Sequence, residues 1–347
     1  MLQSYALVWK IVLGSGKKVS LFVEISPSFS CVLFINCLPL SVLLKARINL
    51  FNIYVMNTLS NSELTLQVSF HGAELCSIRD NSGHEYLWQA DPVYWKRHSP
   101  VLFPIVGSVW ENEYRHEGKT YQLTQHGFAR DMDFELVEES PSCLLYRLID
   151  DEETRRKYPF SFSLEIGYRL KGHCIEVSWR VINLGAERMY FQIGAHPAFY
   201  FPDYDSVESQ RGYLGFDRTT GLYYNLISEK GCADVSTTYP LQLNEKGLLP
   251  LDIHTFDADA LILENSQVKK VVLYDNAQKP CLGLYFDAPV VGLWSPPGKN
   301  APFVCIEPWY GRCDRAHYDG ELKDKDWVQH LEPQSVFEGG YTIEIMS

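Results

Sequence analysis

Residues 160–185 read FSFSLEIGYRLKGHCIEVSWRVINLG, and this stretch decides the fold class. Every second residue is apolar from position 160 to 170, and the same alternation runs from position 175 to 181. A period of two is typical of strands that bury one face and leave the other in water, as in antiparallel sheets. The Lys171-Gly172 pair between the two runs is a turn signal. The stretch therefore predicts two strands joined by a turn.

The same alternation recurs outward from this stretch over most of the chain after Leu64, and residues 341–345 close the chain with another run. Helical periodicity is scarce: residues 151–158 predict two turns of helix and residues 323–330 another short piece. Many short strands with few helices favour a β-sandwich or a barrel. No fixed repeat and no break in composition divides residues 56–347, so we expect a single domain there.

Residues 1–55 differ from the rest, because they carry five basic residues against one acidic residue and contain no histidine. Polar and charged residues interrupt the apolar stretch 29–55, and a membrane-spanning helix needs about 20 apolar residues. The order of basic and apolar runs also does not fit a secretory signal. An accessory segment remains open. We favour upstream translation before a natural start at Met56, which predicts that residues 1–55 are poorly ordered and not catalytic.

Charge and cysteine content limit the partners. The 347 residues carry a net charge of −12, so nucleic acid and anionic membranes are poor partners. The nine cysteines are an odd number and form no CxxC pair, so the signatures of structural zinc and thioredoxin-like redox sites are missing. A disulfide framework is not expected in so long a chain. We predict a cytoplasmic protein, monomeric or homodimeric.

Two short stretches with polar residues, here called islands, each contain a histidine. The first island consists of PVLFPIVG (100–107) and the following QHGFARD (125–131), in which His126 stands beside a glycine and among Gln, Arg and Asp. GAHPAF (194–199) places His196 among small residues at a predicted strand end, where the following proline stops strand pairing and frees the imidazole to face a groove. Either histidine could instead be a hydrogen-bonded structural residue.

The third island, VCIEPWYG (304–311), holds Glu307 at the end of an apolar strand. Burying a carboxylate is costly unless it is paired or functional, and partial burial raises its pKa towards the range of a useful general base. Trp294, Trp309 and Tyr310 offer flat surfaces on which sugars stack. A salt-bridged glutamate beside core aromatics is the structural alternative.

The spacings between these residues exclude several kinds of site. His126, His196 and Glu307 are 70 and 111 positions apart, so they form no local metal-ligand motif such as HExxH. There is also no GxSxG motif for a serine nucleophile. The sequence therefore favours an acid–base site that works without a covalent step.

Taken together, the islands resemble the aldose 1-epimerase (galactose mutarotase) family, in its bacterial LacX-like branch. The similarity runs over residues 60–346 in the family's order, through the stretches PVLFPIVG, QHGFARD, GAHPAF, FDADAL (256–261) and CIEPW (305–309). The resemblance implies an all-β fold: a galactose mutarotase-like β-supersandwich of antiparallel strands with few short helices. It also implies a sugar bound in an open groove.

The resemblance further implies the roles of the site residues, with no metal or organic cofactor. Glu307 would remove the proton of the anomeric hydroxyl, and His196 would give a proton to the ring oxygen. His126 would hold and polarise the sugar, and Asp259 falls where the family has a carboxylate that grips sugar hydroxyls. The ring opens, the C1 carbonyl rotates, and the ring closes on the other face.

One departure from the family concerns an arginine. Members of the better-known branch have an arginine after the first apolar motif, and many LacX-like sequences read Gly-Arg there, whereas this chain reads Gly107-Ser108. Arg130 could hold the substrate instead, or it could form a structural pair with Asp131. Trp309 is the third predicted substrate-binding residue, after Arg130 and Asp259.

Three functions stay open at this point. The first is an aldose 1-epimerase acting on a free aldose. The second is a hexose-6-phosphate 1-epimerase, which shares the fold but needs several cations for the phosphate, and the motifs supply only Arg130. The third is a sugar-binding or sensing protein without turnover. The presence of His126, His196 and Glu307 favours the first, because simple binding does not need a matched acid and base.

Overall fold

The computed structural model describes residues 7–13, 19–25 and 56–346, and the chain divides into two units, Met1–Ile53 and Tyr54–Ser347. In the first unit, strands β1 (Leu7–Leu13) and β2 (Val19–Ile25) pair in antiparallel fashion. Most of residues 1–55 lie outside the described ranges. The expectation that this segment is poorly ordered therefore stays a prediction.

A nine-stranded antiparallel sheet contains the two strands predicted from residues 160–185. In spatial order it consists of β19 (Leu248–Asp252), β16 (Gln210–Phe216), β21 (Lys270–Tyr274), β22 (Pro280–Phe286), β26 (Val336–Ile345), β12 (Cys174–Asn183), β11 (Phe162–Lys171), β10 (Cys143–Ile149) and β9 (Glu135–Ser140). β11 and β12 pair over their whole length, from Phe162 opposite Asn183 to Lys171 opposite Cys174. The alternating sequence therefore forms a long hairpin inside this sheet.

The second large sheet brings the polar islands together. It is also antiparallel and runs β18 (Ala233–Pro240), β17 (Tyr223–Ile227), β20 (Leu261–Leu263), β23 (Val290–Trp294), β24 (Phe303–Tyr310), β14 (Ile193–Ala195) and β6 (Val101–Leu102), with β15 (Ala198–Tyr200) also paired to β24. Gly194 pairs with Trp309 on one side and with Leu102 on the other. The three islands are therefore neighbours in this sheet although they are far apart in sequence.

Smaller elements complete the fold. They are the sheet of β3 (Met56–Ser60), β4 (Leu64–Ser69) and β5 (Leu75–Asp80), the pair β7 (Glu113–His116) and β8 (Lys119–Gln122), the pair β13 (Met189–Phe191) and β25 (Gln329–Leu331), helix α1 (Glu152–Lys157), and 3-10 turns at Trp110–Asn112, Ala129–Asp131, Glu229–Gly231 and Leu322–Asp324. No helix within the described ranges has the length and apolar character needed to cross a bilayer.

One hydrophobic core joins the two large sheets. It contains fully buried side chains of the nine-stranded sheet, such as Leu164 and Ile166, together with Leu293 and Ile306 of the other sheet. Burying each such side chain contributes about 1.5–3 kcal/mol. The sheets are thus stacked over a shared apolar layer, which confirms the predicted antiparallel β-sandwich.

The two helical predictions had different outcomes. Helix α1 (Glu152–Lys157) lies within the predicted residues 151–158, because Asp151 and Thr154 cap it reciprocally: the Thr154 backbone N–H donates to the Asp151 carboxylate at 2.7 Å. The prediction for residues 323–330 was wrong. There the chain makes only a single 3-10 turn, because Lys325 enters a buried ion pair and Trp327 adopts a φ of 59°, which is incompatible with a continuing helix.

Candidate active site

A cleft of about 360 Å³ is lined by all six of the predicted site residues: His126, Arg130, His196, Asp259, Glu307 and Trp309. His196 directly follows β14, and Glu307 lies on the neighbouring strand β24. The other four come from β24 and from loops after β8 and β19. Sheet topology therefore assembles one polar cleft from segments that are distant in the sequence.

Glu307 is the most deeply buried acid of the cleft. The residue is 1% exposed, and its Oε2 atom has no hydrogen-bond partner. Burial and the negative charge of Asp259 raise the pKa of Glu307 well above its ordinary value, against a smaller lowering by the Trp309 indole. A carboxylate in such a position is a strong base once it is ionised.

His196 is in direct contact with that carboxyl group. Its Nε2 lies 3.3 Å from Oε2 of Glu307. The ring stacks on the indole of Trp95, with centroids 4.6 Å apart and planes at 27°, and its backbone N–H donates to the Pro100 carbonyl at 3.1 Å. Burial, followed by the charge of Arg130, lowers the pKa of His196 to about 3. The imidazole is thus fixed in place and kept from carrying an isolated positive charge.

The opposite pKa displacements of Glu307 and His196 favour one titratable proton on the pair at pH values between the lowered pKa of His196 and the raised pKa of Glu307. That proton lies on the carboxyl group or on the imidazole, and the pair is neutral overall in both cases. A buried neutral pair avoids the cost of an unpaired charge. It also holds one proton donor and one proton acceptor in contact, which is what proton exchange between two substrate oxygens requires.

His126 is a hydrogen-bond donor towards the cleft. The Gly107 backbone N–H donates to its Nδ1 at 3.1 Å, so the proton of the neutral ring lies on Nε2. Burial, followed by the charges of Arg130 and His196, lowers the pKa of His126 well below its ordinary value. The local turn depends on Gly127, where an added Cβ would lie 2.3 Å from the Phe103 carbonyl oxygen.

Arg130 lies at the cleft and also near Asp131, so its proposed role in holding the substrate stays a prediction. It lines the cleft, and its Nη2 donates to the Gln125 carbonyl at 2.7 Å. Its Nε lies 3.8 Å from the carboxylate of Asp131, which is too far for a hydrogen bond, and that carboxylate accepts a hydrogen bond of 2.7 Å from Arg97 instead. Burial lowers the pKa of Arg130 to about 10, so it stays charged at neutral pH.

Ser108 is buried where the family pattern has an arginine. It is 6% exposed, its carbonyl accepts a hydrogen bond of 2.9 Å from the Asp314 backbone, and its hydroxyl packs against Gly231. Gly107 lines the cleft, and Ser108 is not among the lining residues. Arg130 is therefore the only arginine or lysine among the described residues that line this cleft.

The aromatic wall differs in part from the expectation. Trp309 is 5% exposed and donates from Nε1 to the Ala195 carbonyl at 3.2 Å. Its indole fills the space beside Gly194 and Gly292, where an added Cβ would lie 2.6 and 2.4 Å from the ring. Trp309 is thus a packed wall more than a free stacking surface.

Sequence reasoning missed Trp95, which lines the cleft and stacks on His196. Its signal was the run YWKRH at residues 94–98, which lies directly before the first apolar motif and is unusually rich in aromatic and basic residues. From the sequence alone, a tryptophan in that run could equally be a core residue or a residue of the site. Only the fold shows that it covers the imidazole.

Two stacked antiparallel sheets carry a polar, aromatic-walled cleft built from strand β24, the residue that follows β14 and the loops after β8 and β19, and this fold is galactose mutarotase-like. A family model described as aldose 1-epimerase matches residues 56–330. The chain therefore belongs to the aldose 1-epimerase family.

Relatives of known structure or known sequence agree with this assignment. The chromosomal LacX protein of Lactococcus lactis subsp. lactis is 33% identical over 297 residues, which cover 83% of this chain and 99% of that protein. A galactose mutarotase related enzyme from Lactobacillus acidophilus is 35% identical, with a TM-score of 0.78 over 84% of this chain and 98% of the other. A galactose mutarotase-like protein from Lactobacillus casei is 30% identical, with a TM-score of 0.79 over 84% of this chain and all of the other.

Proposed function

We propose that this protein is an aldose 1-epimerase that interconverts the α and β anomers of a free aldose. The observation that carries the proposal is the contact of 3.3 Å between Glu307 and His196, two buried groups whose pKa values are displaced in opposite directions. The cleft volume of about 360 Å³ falls within the usual range for small-molecule sites. A sugar-binding protein has no need of such a pair.

In the proposed reaction, ionised Glu307 accepts the proton of the anomeric hydroxyl while His196 gives a proton to the ring oxygen. The C1–O5 bond breaks, and the open-chain aldehyde rotates about C1–C2. Ring closure on the other face returns both protons, so neither the sugar nor the protein changes its proton count. The Nε2–H of His126 would polarise a sugar oxygen, and Asp259 and Arg130 would bind hydroxyl groups.

We propose a free sugar rather than a phosphorylated one. Phosphate recognition uses clusters of arginine and lysine, because each contributes charge-assisted hydrogen bonds. In this cleft Arg130 is the single such residue among the described ones, and it already donates to the Gln125 carbonyl. The net charge of −12 also opposes an anionic substrate.

We further propose a cytoplasmic protein, monomeric or homodimeric, whose partner is the small sugar and not nucleic acid or a membrane. The charge balance supports this proposal. So do the cysteines of residues 56–346, all of which are free thiols, as expected for a reducing compartment.

The direct test follows the anomeric protons of freshly dissolved α-D-glucose and α-D-galactose by NMR. We expect the full chain to accelerate equilibration of at least one sugar above its spontaneous rate. Pentoses and hexose 6-phosphates form a second panel. Acceleration of the phosphates alone would replace the free aldose by a phosphorylated one, and no acceleration of any sugar would refute the proposed activity.

The one-proton state of the Glu307–His196 pair also predicts the pH profile. As the pH falls, His196 takes up a second proton only near its lowered pKa of about 3. As the pH rises, the last proton leaves at the raised pKa of Glu307, and activity declines there. We expect kcat/KM, measured from about pH 4 to 9, to show no fall on the acid side near about pH 6.5, where an ordinary histidine titrates. An acid limb at about 6.5 would contradict the shared proton.

A further inference from the structure

A second cavity, separate from the cleft, is lined by three side chains of metal-binding chemistry. It has a volume of about 210 Å³, and Glu74, Cys76 and His98 are among its lining residues. One carboxylate oxygen, the thiol sulfur and one imidazole nitrogen all lie within 4.8 Å of one another. The residues are 2 and 22 positions apart, so no local motif in the sequence marks the cluster.

Each of the three residues has a ligand atom that accepts no hydrogen bond from the rest of the described protein. Oε1 of Glu74 accepts hydrogen bonds of 2.8 and 2.9 Å from the backbone N–H groups of His98 and Ser99, which leaves Oε2 free. Nδ1 of His98 is buried without a hydrogen-bond partner, and its 3.8 Å distance to Oε2 is too long for a hydrogen bond. Cys76 is a buried free thiol that donates weakly to the Glu74 backbone carbonyl at 3.2 Å.

We propose that Glu74, Cys76 and His98 bind one thiophilic divalent cation, for which Zn²⁺ is the best match. Sulfur, nitrogen and oxygen ligands together are typical of zinc, whereas magnesium and calcium take oxygen ligands. Three protein ligands leave the fourth tetrahedral position for water. Glu74 directly precedes β5 and Cys76 is the second residue of that strand, so this short stretch supplies two of the three ligand atoms that lie within 4.8 Å of one another.

The charges around the cavity permit a cation. Arg97 lines it, but this guanidinium is paired with Asp131 at 2.7 Å, and Lys96 is exposed to solvent. Burial, together with the charge of Glu74, raises the pKa of the Cys76 thiol, so a bound cation has to displace that proton. The bound site would then hold a carboxylate and a thiolate against the 2+ charge.

One chain segment contributes residues both to this cavity and to the cleft. His98 belongs to the segment that carries Trp95, whose indole stacks on His196. The His98 carbonyl also accepts a hydrogen bond of 3.0 Å from the Ala198 backbone. A cation on His98 would therefore hold the segment that covers the imidazole, without entering the proposed reaction.

The test uses Co²⁺ in place of Zn²⁺, because a cobalt–thiolate bond gives a charge-transfer absorption that needs no sugar. The full chain, stripped of metal with a chelator, is titrated with Co²⁺ and then with Zn²⁺. We expect one equivalent of Co²⁺ to produce the absorption and Zn²⁺ to abolish it. Cys76→Ser should lose the absorption, and His98→Gln should weaken binding by at least about tenfold.

The control is Cys305→Ser, because Cys305 forms a comparable cluster with His196 and Glu307 inside the cleft region. This variant should keep the cobalt absorption. No absorption in the wild type, or an absorption that survives Cys76→Ser, would overturn the proposal, and disappearance in Cys305→Ser would assign the cation to the cluster in the cleft region instead. His98→Gln keeps the test decisive if Cys76→Ser does not fold. The sugar assay is separate, so failure of one proposal does not touch the other.

Discussion

Replacing Glu307 by glutamine is expected to slow catalysed anomerisation by about 10²–10⁴-fold, the usual contribution of a general acid–base group. Glutamine keeps the shape of the side chain but cannot accept the anomeric proton. The partner imidazole of His196 at 3.3 Å would then lack its proton acceptor. NMR of the anomeric protons measures the loss directly, and sugar binding measured by titration should persist.

The same substitution should not destabilise the fold. Oε2 of Glu307 has no hydrogen-bond partner, and burial already disfavours its charged form. A neutral amide of similar size therefore removes a cost of burial without breaking a bond, so the thermal midpoint should stay the same or rise. Loss of activity with retained stability would identify Glu307 as a group kept for its chemistry.

A matched control is Glu165→Gln, because Glu165 is also a buried strand glutamate but lies on β11 of the other sheet, where it pairs with Arg180 at 2.6 Å. This variant should lose stability and keep its activity. If Glu307→Gln equals the wild type in turnover, the assignment of the base is wrong. If both variants lose activity in step with stability, the effect of Glu307 is structural.

The parts of the fold that the sequence predicted are those in which local pattern and burial agree. The alternation in residues 160–185 predicted β11 and β12, because each apolar position faces the shared core. The islands around His126, His196 and Glu307 stood out because polar residues interrupted apolar strands. Local sequence therefore located the candidate site residues, and the family resemblance supplied their roles, which stay predictions.

The parts that the sequence could not predict depend on contacts between distant segments. Trp95 covers His196 across 101 positions, and a tryptophan near an apolar motif carries no sign of such a partner. Residues 323–330 have the charge pattern of an exposed short helix. Their actual path is decided by Lys325, whose ammonium group is buried against Asp314. No pattern within that segment shows the partner.

That buried pair leads to the largest stability effect we expect. Both side chains are 2% exposed. The second carboxylate oxygen of Asp314 accepts a hydrogen bond of 2.9 Å from the Trp110 backbone N–H. The backbone N–H of Asp314 donates to the Ser108 carbonyl at 2.9 Å. Lys325→Met leaves the Asp314 charge buried without its countercharge, which should lower the free energy of unfolding by about 3–5 kcal/mol in urea denaturation.

The double variant Asp314→Asn with Lys325→Met separates the cost of the unpaired charge from the loss of packing. Asparagine can still accept the Trp110 N–H while it removes the charge, so much of the lost stability should return. Lys269→Met, which breaks the exposed pair with Asp287, should barely move the midpoint. If the double variant is as unstable as Lys325→Met alone, the lysine acts through packing. Recovery would show that the fold depends on neutralisation of the buried Asp314 charge, to which the backbone of Trp110 and Ser108 is bonded.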